Sequence, residues 1–333
     1  MNAIEVSALA MSYGDRQVLR GVDFEVRSGE VCCLLGPNGA GKTTTVEILE
    51  GFRQRTSGTV SVLGMDPAAQ PTKLRERIGI VLQECGFPRQ ARVKELIDCW
   101  RSYYPKPRAT CDLLQVVELT EDKNTQVRKL SGGQRRRLDL ALALTGDPDL
   151  IFLDEPTTGF DPESRRRCWE AIENLRALGK TVLLTTHYLD EAERLADRVA
   201  ILQDGKIQVA GTVRHVARQA AVPTRISFTA PPRLRSGELK PPTCLELTVS
   251  GDVAVCLTAC TESASVALRE LLAWSVANDL GDLDDLSVIA PTLEDAYLHL
   301  VAGGDRMSTV AGGDRMSTVA GDDRMSTVAG GAR

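Results

Sequence analysis

The residues with the most specific chemistry form a glycine-rich stretch, Gly36 to Thr44, which reads GPNGAGKTT. It matches the GxxxxGKT phosphate loop, in which consecutive backbone amides surround the β- and γ-phosphates of a nucleotide. In such a loop the side chain of Lys42 adds a positive charge, and the hydroxyl of Thr43 reaches Mg²⁺. An apolar run, Val31 to Leu35, precedes the loop and a helical pattern follows it. This order directs a helix N-terminus at an anion, so the stretch predicts nucleotide binding.

Two carboxylates end a second apolar run, DLIFLDE, which extends from Asp149 to Glu155. Alternate side chains of a strand point to opposite faces, so Asp154 and Glu155 cannot share one role. Asp154 is suited to Mg²⁺ through water, whereas Glu155 can orient the attacking water or accept a proton from it. Two acids at a strand end are, on their own, also typical of a solvated surface. The phosphate loop in the same chain favours the catalytic interpretation.

Two other predicted strands also end in polar residues. Gln83 follows the run Ile78 to Leu82, at the strand edge where α/β sheets place ligand groups. Its side-chain carbonyl could hold Mg²⁺ or the attacking water, or it could be only a polar strand end. His187 ends the β-branched run Lys180 to Thr186 on the same predicted edge. We therefore expect His187 to contact the γ-phosphate and the catalytic carboxylate.

A second anion site is predicted where a helix begins in the middle of the chain. Ser131 is a good N-cap, and two glycines, Gly132 and Gly133, follow it ahead of Gln134. Glycines weaken the start of a helix unless the backbone must approach something closely. A bound anion explains them better than packing does. The arginines that follow, Arg135 to Arg137, are interpreted as a solvated face.

One aromatic residue lies beside a predicted hairpin turn upstream of the phosphate loop. Alternating apolar residues on both sides of the turn from Tyr13 to Arg16 predict two antiparallel strands. Tyr13 could stack on adenine, because ring faces and purines attract without a particular hydrogen-bond pattern. It could equally be an ordinary turn tyrosine that packs on the sheet.

The remaining pattern indicates how the chain is divided. Apolar residues recur at helical spacing between Arg92 and Leu119, which predicts a mainly helical insertion between sheet strands. Beyond Gly211, prolines separate short strand-like runs and two helical patterns follow, which indicates a small α+β domain. The stretch from Gly303 to Ala329 repeats a nine-residue unit three times and has few apolar residues. This repeat predicts disorder.

Composition excludes several classes of protein. The 333 residues carry a formal net charge of -5, so no global basic field would attract nucleic acid or an anionic membrane. No apolar span of 18 residues occurs, and the N-terminus lacks a charged start followed by a long apolar core. Neither a membrane anchor nor a signal peptide is predicted. We expect a cytosolic protein that only a partner holds at a membrane.

In order and spacing, these separated motifs resemble the ATP-binding subunit of an ABC transporter, from about Ala3 to Arg218. The phosphate loop is similar to the Walker A motif of that family, Gln83 to its Q-loop, and His187 to its switch histidine. Leu130 to Gln134 resembles the family signature, Leu150 to Glu155 resembles Walker B, and Phe160-Asp161 falls in the D-loop. The departure is Phe160, where leucine is commoner in the family.

The resemblance implies an α/β fold of the ABC type: a P-loop ATPase with a RecA-like core, an antiparallel β subdomain and a helical subdomain. This nucleotide-binding domain covers residues 1–222, with the helical subdomain at about 84–136. A small α+β C-terminal domain at 223–302 and a disordered repeat tail at 303–333 follow. ATP and Mg²⁺ are the implied cofactors.

The resemblance also assigns roles to residues, with the aromatic Tyr13 stacked on adenine and Val18 beneath the base. The implied nucleotide-binding residues are Tyr13, Val18, Gly36, Pro37, Asn38, Gly39, Ala40, Gly41, Lys42, Thr43, Thr44, Ser131, Gly132, Gly133, Gln134 and Asp161. The catalytic residues are Glu155, His187, Lys42 and Gln83, and the metal-binding residues are Thr43, Gln83 and Asp154.

Partners follow from the same resemblance. Cassettes of this family dimerise head to tail, so that Ser131 and Gly133 of one subunit contact the γ-phosphate held by the other. One set of motifs implies a homodimer, or pairing with a similar subunit, on the cytoplasmic side of the cell membrane. A separate permease is implied, and its coupling helix enters the groove near Gln83 and the helical insertion.

The cargo class rests on a shorter match. The ending PTLEDAYLHLVAG resembles the tail of drug-resistance exporter ATPases of the daunorubicin type, whose permeases are of the ABC-2 kind. It implies export of a drug, an antibiotic or another hydrophobic compound. The alternatives are a soluble ABC ATPase of translation or DNA repair and a plain P-loop kinase. The first usually carries two cassettes or long coiled coils, and the second leaves the signature unexplained.

Overall fold

The computed structural model describes residues 1–81, 86, 88–220, 222–240, 246–257 and 264–301. Within these limits the chain forms two compact units. The first contains described residues up to 224 together with 289–301, and the second contains those of 225–257 and 264–288. Gln83 and the repeat tail lie outside the described residues.

The strands and helices are numbered in chain order. The strands are β1 (Asn2–Tyr13), β2 (Arg16–Arg27), β3 (Val31–Leu35), β4 (Ser57–Val62), β5 (Ile78–Val81), β6 (Leu150–Asp154), β7 (Thr181–Thr186), β8 (Arg198–Gln203), β9 (Lys206–Gly211), β10 (Arg225–Thr229), β11 (Glu246–Ser250), β12 (Val253–Leu257) and β13 (Ser287–Ile289). The helices are α1 (Lys42–Leu49), α2 (Pro71–Arg75), α3 (Val93–Arg101), α4 (Thr110–Val116), α5 (Gly132–Ala143), α6 (Pro162–Ala177), α7 (Leu189–Leu195), α8 (Val213–Gln219), α9 (Pro232–Arg235), α10 (Ala264–Ala277) and α11 (Leu293–Val301).

A six-stranded sheet in the order β5-β6-β7-β3-β8-β9 forms the centre of the first unit. Every neighbouring pair is parallel except β8 with β9, which form a hairpin. Along β3, Cys33 and Leu35 belong to one hydrophobic cluster, whereas Cys32 and Leu34 belong to another. Both faces of the sheet are therefore covered, which explains why its strands are continuous apolar runs.

Each hydrophobic cluster lies under one of the two subdomains that the sequence predicts, the antiparallel sheet or the helical insertion. The cluster that contains Leu34 also covers the antiparallel sheet β2-β1-β4 and includes Ile4 and Leu9. The cluster that contains Leu35 covers the helical insertion, where α3, α4 and α5 bury Ile97 and Leu113. The predicted hairpin at Tyr13 and the predicted helical insertion are confirmed.

The parallel strands place the candidate residues on one edge. The phosphate loop follows β3, Glu155 follows β6, and His187 follows β7. Because the carboxyl ends of parallel strands lie at the same edge of a sheet, these residues come together there.

The second unit is built on a four-stranded sheet in the order β11-β12-β10-β13. Ile226 and Phe228 of β10 pack with Ala254 of β12 and with Ala267 and Leu271 of α10. This is the small α+β arrangement that the pattern beyond Gly211 predicts.

Helix α11 departs from the predicted boundary, which assigned it to the accessory domain. In the structure it belongs to the first unit, where it contacts α8 and α7. The backbone N–H of Leu293 donates to Oε1 of Glu193 at 2.7 Å, and Leu293 and Ala296 are fully buried in the core of that unit. The apolar stripe of α11 packs against residues about 80 to 100 positions earlier in the chain, a pairing that local patterns do not show. Among the described residues, no helix is both long enough and apolar enough to span a bilayer.

Candidate functional site

The phosphate loop needs glycine at two of its positions. A Cβ atom on Gly36 would lie 2.2 Å from the carbonyl oxygen of Leu202. Gly41 has a φ of 109°, and a Cβ there would lie 2.6 Å from Cδ2 of Leu19. An L side chain at either position would force the loop away from the sheet, so the glycines hold its backbone at the start of α1.

The lysine of the loop lies inside it. Nζ of Lys42 donates to the carbonyl oxygen of Gly36 at 2.8 Å and to that of Pro37 at 3.3 Å. The residue is only 5% exposed. Burial lowers the pKa of Lys42, and the nearby carboxylates of Glu155 and Asp154 act in the opposite direction. A phosphate in the loop would add a second anionic partner for this desolvated ammonium, beside the carboxylate of Glu155.

The carboxylate of Glu155 contacts both Lys42 and His187. Its Oε1 lies 3.7 Å from Nζ of Lys42 and 3.3 Å from Nδ1 of His187. Its Oε2 accepts a hydrogen bond from Oγ1 of Thr158 at 3.1 Å. The backbone N–H of Glu155 donates to the carbonyl and hydroxyl oxygens of Thr185, both at 3.1 Å. The side chain is thereby held between a cation and an imidazole at the end of the loop.

Asp154 faces a different set of groups. The hydroxyl of Thr185 donates to its Oδ1, and this short contact fixes the carboxylate at the end of β6. Glu50 is fully buried near Asp154. Burial and the proximity of Asp154 and Glu47 raise the pKa of Glu50 to about 8, so Glu50 adds little negative charge beside Asp154. The hydroxyl of Thr43 and the carboxylate of Asp154 are oxygen donors, the type that Mg²⁺ prefers, so the residues present fit that ion.

A cavity of about 370 Å³ opens beside the loop. Its lining residues are Tyr13, Arg16, Val18, Asn38, Gly39, Gly41, Lys42, Thr43, Thr44 and Glu155. Tyr13 is 44% exposed, and the guanidinium of Arg53 lies 5.0 Å from its ring centroid. The predicted residues Gly36, Pro37 and Ala40 do not line the cavity. Arg16 does, although its position in a turn gave no signal of this in the sequence.

The signature segment begins α5 with a reciprocal cap. Oγ of Ser131 accepts from the backbone N–H of Gln134 at 3.1 Å, and the N–H of Ser131 donates to Oε1 of Gln134 at 2.9 Å. A Cβ on Gly133 would lie 2.8 Å from Oγ of Ser164. Asp161 caps α6 by accepting from the N–H groups of Glu163 and Ser164.

These residues form a second pocket, apart from the first. It has a volume of about 340 Å³, and Ser131, Gly133, Gln134, Asp161 and Ser164 are among its lining residues. Gly132 does not line it. The two pockets have no lining residue in common. Within one chain, therefore, the structure brings Lys42, Glu155 and His187 together but not the signature.

The arginines after the signature correct a prediction. Arg136 and Arg137 are 7% and 6% exposed, so the prediction of a solvated face is wrong for both. Nη1 of Arg137 donates to the carbonyl oxygens of Val117 and Glu118 at 3.1 and 2.9 Å. Arg136 donates to carbonyls beside Glu155. Helix α5 is surrounded by other elements, and carbonyls of their turns take the place of water around the guanidinium groups.

The site combines a strand, a glycine loop and a helix, and the loop encloses a buried lysine. A carboxylate and a histidine lie beside it at the ends of two adjacent strands. This combination defines a P-loop nucleotide hydrolase. The family model for ABC transporters matches residues 19–158. Nod factor export ATP-binding protein I of Rhizobium johnstonii is 36% identical over 304 residues, which cover 90% of this chain and 94% of the relative. The protein of the same name from Sinorhizobium fredii is 35% identical over 304 residues, covering 90% and 85%.

Solved structures give the same result. The ATP-binding subunit of an ABC transporter is 28% identical, with a TM-score of 0.58 over 65% of this chain and 92% of that subunit. The protein cbiO1 from Clostridium perfringens, part of the ABC transporter complex cbiONQ, is 26% identical with a TM-score of 0.59 over 65% and 90%. The chain belongs to the ABC transporter family. It is an ATP-binding and ATP-hydrolysing subunit, and its partner is a separate membrane permease.

Proposed function

We propose that two copies of this chain bind head to tail and hydrolyse ATP between them. The observation that carries the proposal is the convergence of Lys42 and His187 on one oxygen of Glu155, beside a loop that can hold phosphates. The signature, including Ser131 and Gly133, lies in a separate pocket at the start of another helix. A second copy in the opposite orientation would bring that pocket to the γ-phosphate.

In this arrangement Glu155 polarises the attacking water and His187 steadies it. Lys42 and the amides of the loop stabilise negative charge on the phosphates. Thr43, Gln83 and Asp154 would hold Mg²⁺ directly or through water, and Gln83 lies outside the described residues. When bound, the ion neutralises charge on the β- and γ-phosphate oxygens.

Tyr13 and Val18 form the base-binding end of the proposed site. Replacing Tyr13 with alanine should raise KM for ATP about 5- to 150-fold with little change in kcat, because base stacking contributes about 1–3 kcal/mol. Tyr13→Phe should retain the wild-type KM, since the ring face is kept. Tyr103→Ala removes a more exposed tyrosine, 75% exposed and outside the cavity, and serves as the control. Steady-state kinetics over a range of ATP concentrations tests this, and an unchanged KM in Tyr13→Ala would favour a tyrosine that only packs on the sheet.

The transport direction and cargo rest on the relatives. Proteins 34–36% identical over about nine-tenths of the chain are named for export of Nod factor. We infer export of a hydrophobic compound, such as a drug or an antibiotic, through a permease of the ABC-2 type, with the cassette on the cytoplasmic side. No nucleic-acid partner is proposed.

A groove of about 310 Å³ supports permease docking. Phe52, Ile80, Trp100, Tyr104 and Leu142 are among its lining residues, and Phe52 is 57% exposed. A groove lined by aromatic side chains, with one of them exposed, is typical of an interaction site. We propose that the coupling segment of the permease binds here, between the sheet edge and the helical insertion.

Co-expression tests the transport proposal. With its ABC-2 permease present, the cassette should be recovered with membranes, and without it the cassette should remain in the soluble fraction. Phe52→Asp should return the cassette to the soluble fraction while its ATP binding stays intact. A cassette that stays soluble with every candidate permease, yet hydrolyses ATP, would instead favour a soluble ABC ATPase.

A further inference from the structure

The turn that carries Glu155 is held by an arginine from the helix that begins at the signature. Arg136 lies in α5, and its Nη2 donates to the carbonyl oxygen of Asp154 at 2.9 Å. Its Nε donates to the carbonyl oxygen of Pro156 at 3.2 Å. These are the carbonyls of the two residues that flank Glu155 in the chain. One planar guanidinium therefore fixes both sides of the catalytic residue.

The backbone of Glu155 requires support of this kind. Its φ is 45°, in the left-handed region that residues with a Cβ seldom adopt. A strained conformation persists only where the surroundings over-determine it. The carbonyls on both sides of Glu155 accept hydrogen bonds from Arg136. A movement of the Arg136 side chain should therefore change the direction in which the Glu155 carboxylate points.

Arg136 cannot move independently of its helix. Its Nη1 lies 3.7 Å from Oδ2 of Asp139, one helical turn further along α5. Both residues are at least nine-tenths buried. A buried and ion-paired side chain has little free space, so it follows the displacement of α5.

Helix α5, which carries Arg136, begins at the signature. The reciprocal cap between Ser131 and Gln134 forms the first turn of α5, about 7 Å along the helix axis from Arg136. A contact that shifts or orders Ser131 and Gly133 therefore acts on the same rigid element as the guanidinium.

We propose that Arg136 is a positioning residue that couples the two ATP sites of the dimer. When the signature of one chain engages the nucleotide held by its partner, α5 and Arg136 fix the turn that aligns Glu155 in the first chain's own site. Each site then completes its catalytic geometry only when the other is occupied. This rests on the proposed head-to-tail dimer and specifies how that dimer is regulated.

A second anchor of the same turn provides a comparison. Oγ1 of Thr157 donates to Oε1 of Glu191 at 2.9 Å, and both residues are fully buried. Glu191 belongs to α7, which follows His187, and not to α5. Loosening the turn from this side should disturb Glu155 without cutting its connection to the signature.

ATP hydrolysis by the full-length protein, measured over a range of ATP concentrations, tests the coupling. The wild type should show a Hill coefficient greater than one. Arg136→Lys keeps the charge but loses the planar fork, and should lower kcat about 10- to 100-fold, leave KM within about twofold and reduce the Hill coefficient to one. Thr157→Val should lower kcat and retain the Hill coefficient. Arg101, in α3, makes a similar contact with the carbonyl of Arg108, so Arg101→Lys is the control and should match the wild type.

The outcomes separate the coupling from the dimer itself. If Arg136→Lys does not fold, Arg136→Gln, which keeps one donor, takes its place. A folded variant with wild-type kcat and Hill coefficient overturns the coupling, as does a wild type with a Hill coefficient of one. An equal loss of cooperativity in Thr157→Val overturns it too, because any loosening of the turn would then suffice. If the wild type forms no dimer with ATP, the proposed function fails instead.

Discussion

Replacing Glu155 with glutamine is expected to abolish ATP turnover while ATP binding stays intact. Glutamine keeps the size of the side chain and can still accept a hydrogen bond from Thr158, but it cannot take up a proton or carry charge. Loss of a general base lowers the rate by about 10²- to 10⁴-fold. Lys42 keeps its hydrogen bonds to the carbonyls of Gly36 and Pro37 in this variant, so the affinity for ATP should remain close to that of the wild type.

The same variant should accumulate as a dimer. In the proposed dimer, ATP that is bound but not consumed should keep the two chains together. Phosphate release, ATP binding and size-exclusion chromatography with ATP measure the three effects. Glu173→Gln, which changes a partly exposed carboxylate paired with Arg194, is the control and should behave as the wild type. Normal hydrolysis by Glu155→Gln would remove this residue from the catalytic role.

Replacing Lys42 with alanine should weaken ATP binding about 10- to 150-fold, since a hydrogen bond to a charged group contributes about 1.5–3 kcal/mol. The ammonium lies inside the loop, 2.8 Å from the carbonyl of Gly36, and is already desolvated before ATP binds. Its contribution to phosphate binding is therefore not reduced by a further loss of hydration.

Titration with a fluorescent ATP analogue measures the change in affinity. Lys206→Ala removes an exposed lysine from β9 and should leave the affinity unchanged. The unfolding temperature of Lys42→Ala without nucleotide shows whether the loop still folds. An affinity equal to that of the wild type in a folded variant would contradict the role of Lys42.

The sequence was most informative where function and local pattern coincide. The spacing of Gly36, Gly41 and Lys42 defines a loop without reference to the rest of the chain. The edge at which Glu155 and His187 meet followed from one rule, that parallel strands share their carboxyl ends. Five of the six strands in that sheet run parallel, so the rule places both residues correctly.

Contacts between distant segments decided the features that the sequence could not show. Arg136 and Arg137 have the composition of a solvated face, yet carbonyls more than fifteen residues away in the chain surround both guanidinium groups. Helix α11 has an apolar stripe that indicates burial but not against which unit. The hydrogen bond between Leu293 and Glu193 spans a separation of 100 residues. A sequence pattern over a few residues cannot indicate a contact between residues so far apart in the chain.

Our proposal is that ATP is hydrolysed between two opposed chains. Its most direct test is the turnover rate per molecule of the purified protein, measured over a series of dilutions while the oligomeric state is followed by light scattering. We expect the rate per molecule to fall as the dimer dissociates. A strictly monomeric preparation whose rate per molecule is the same at every dilution would contradict it.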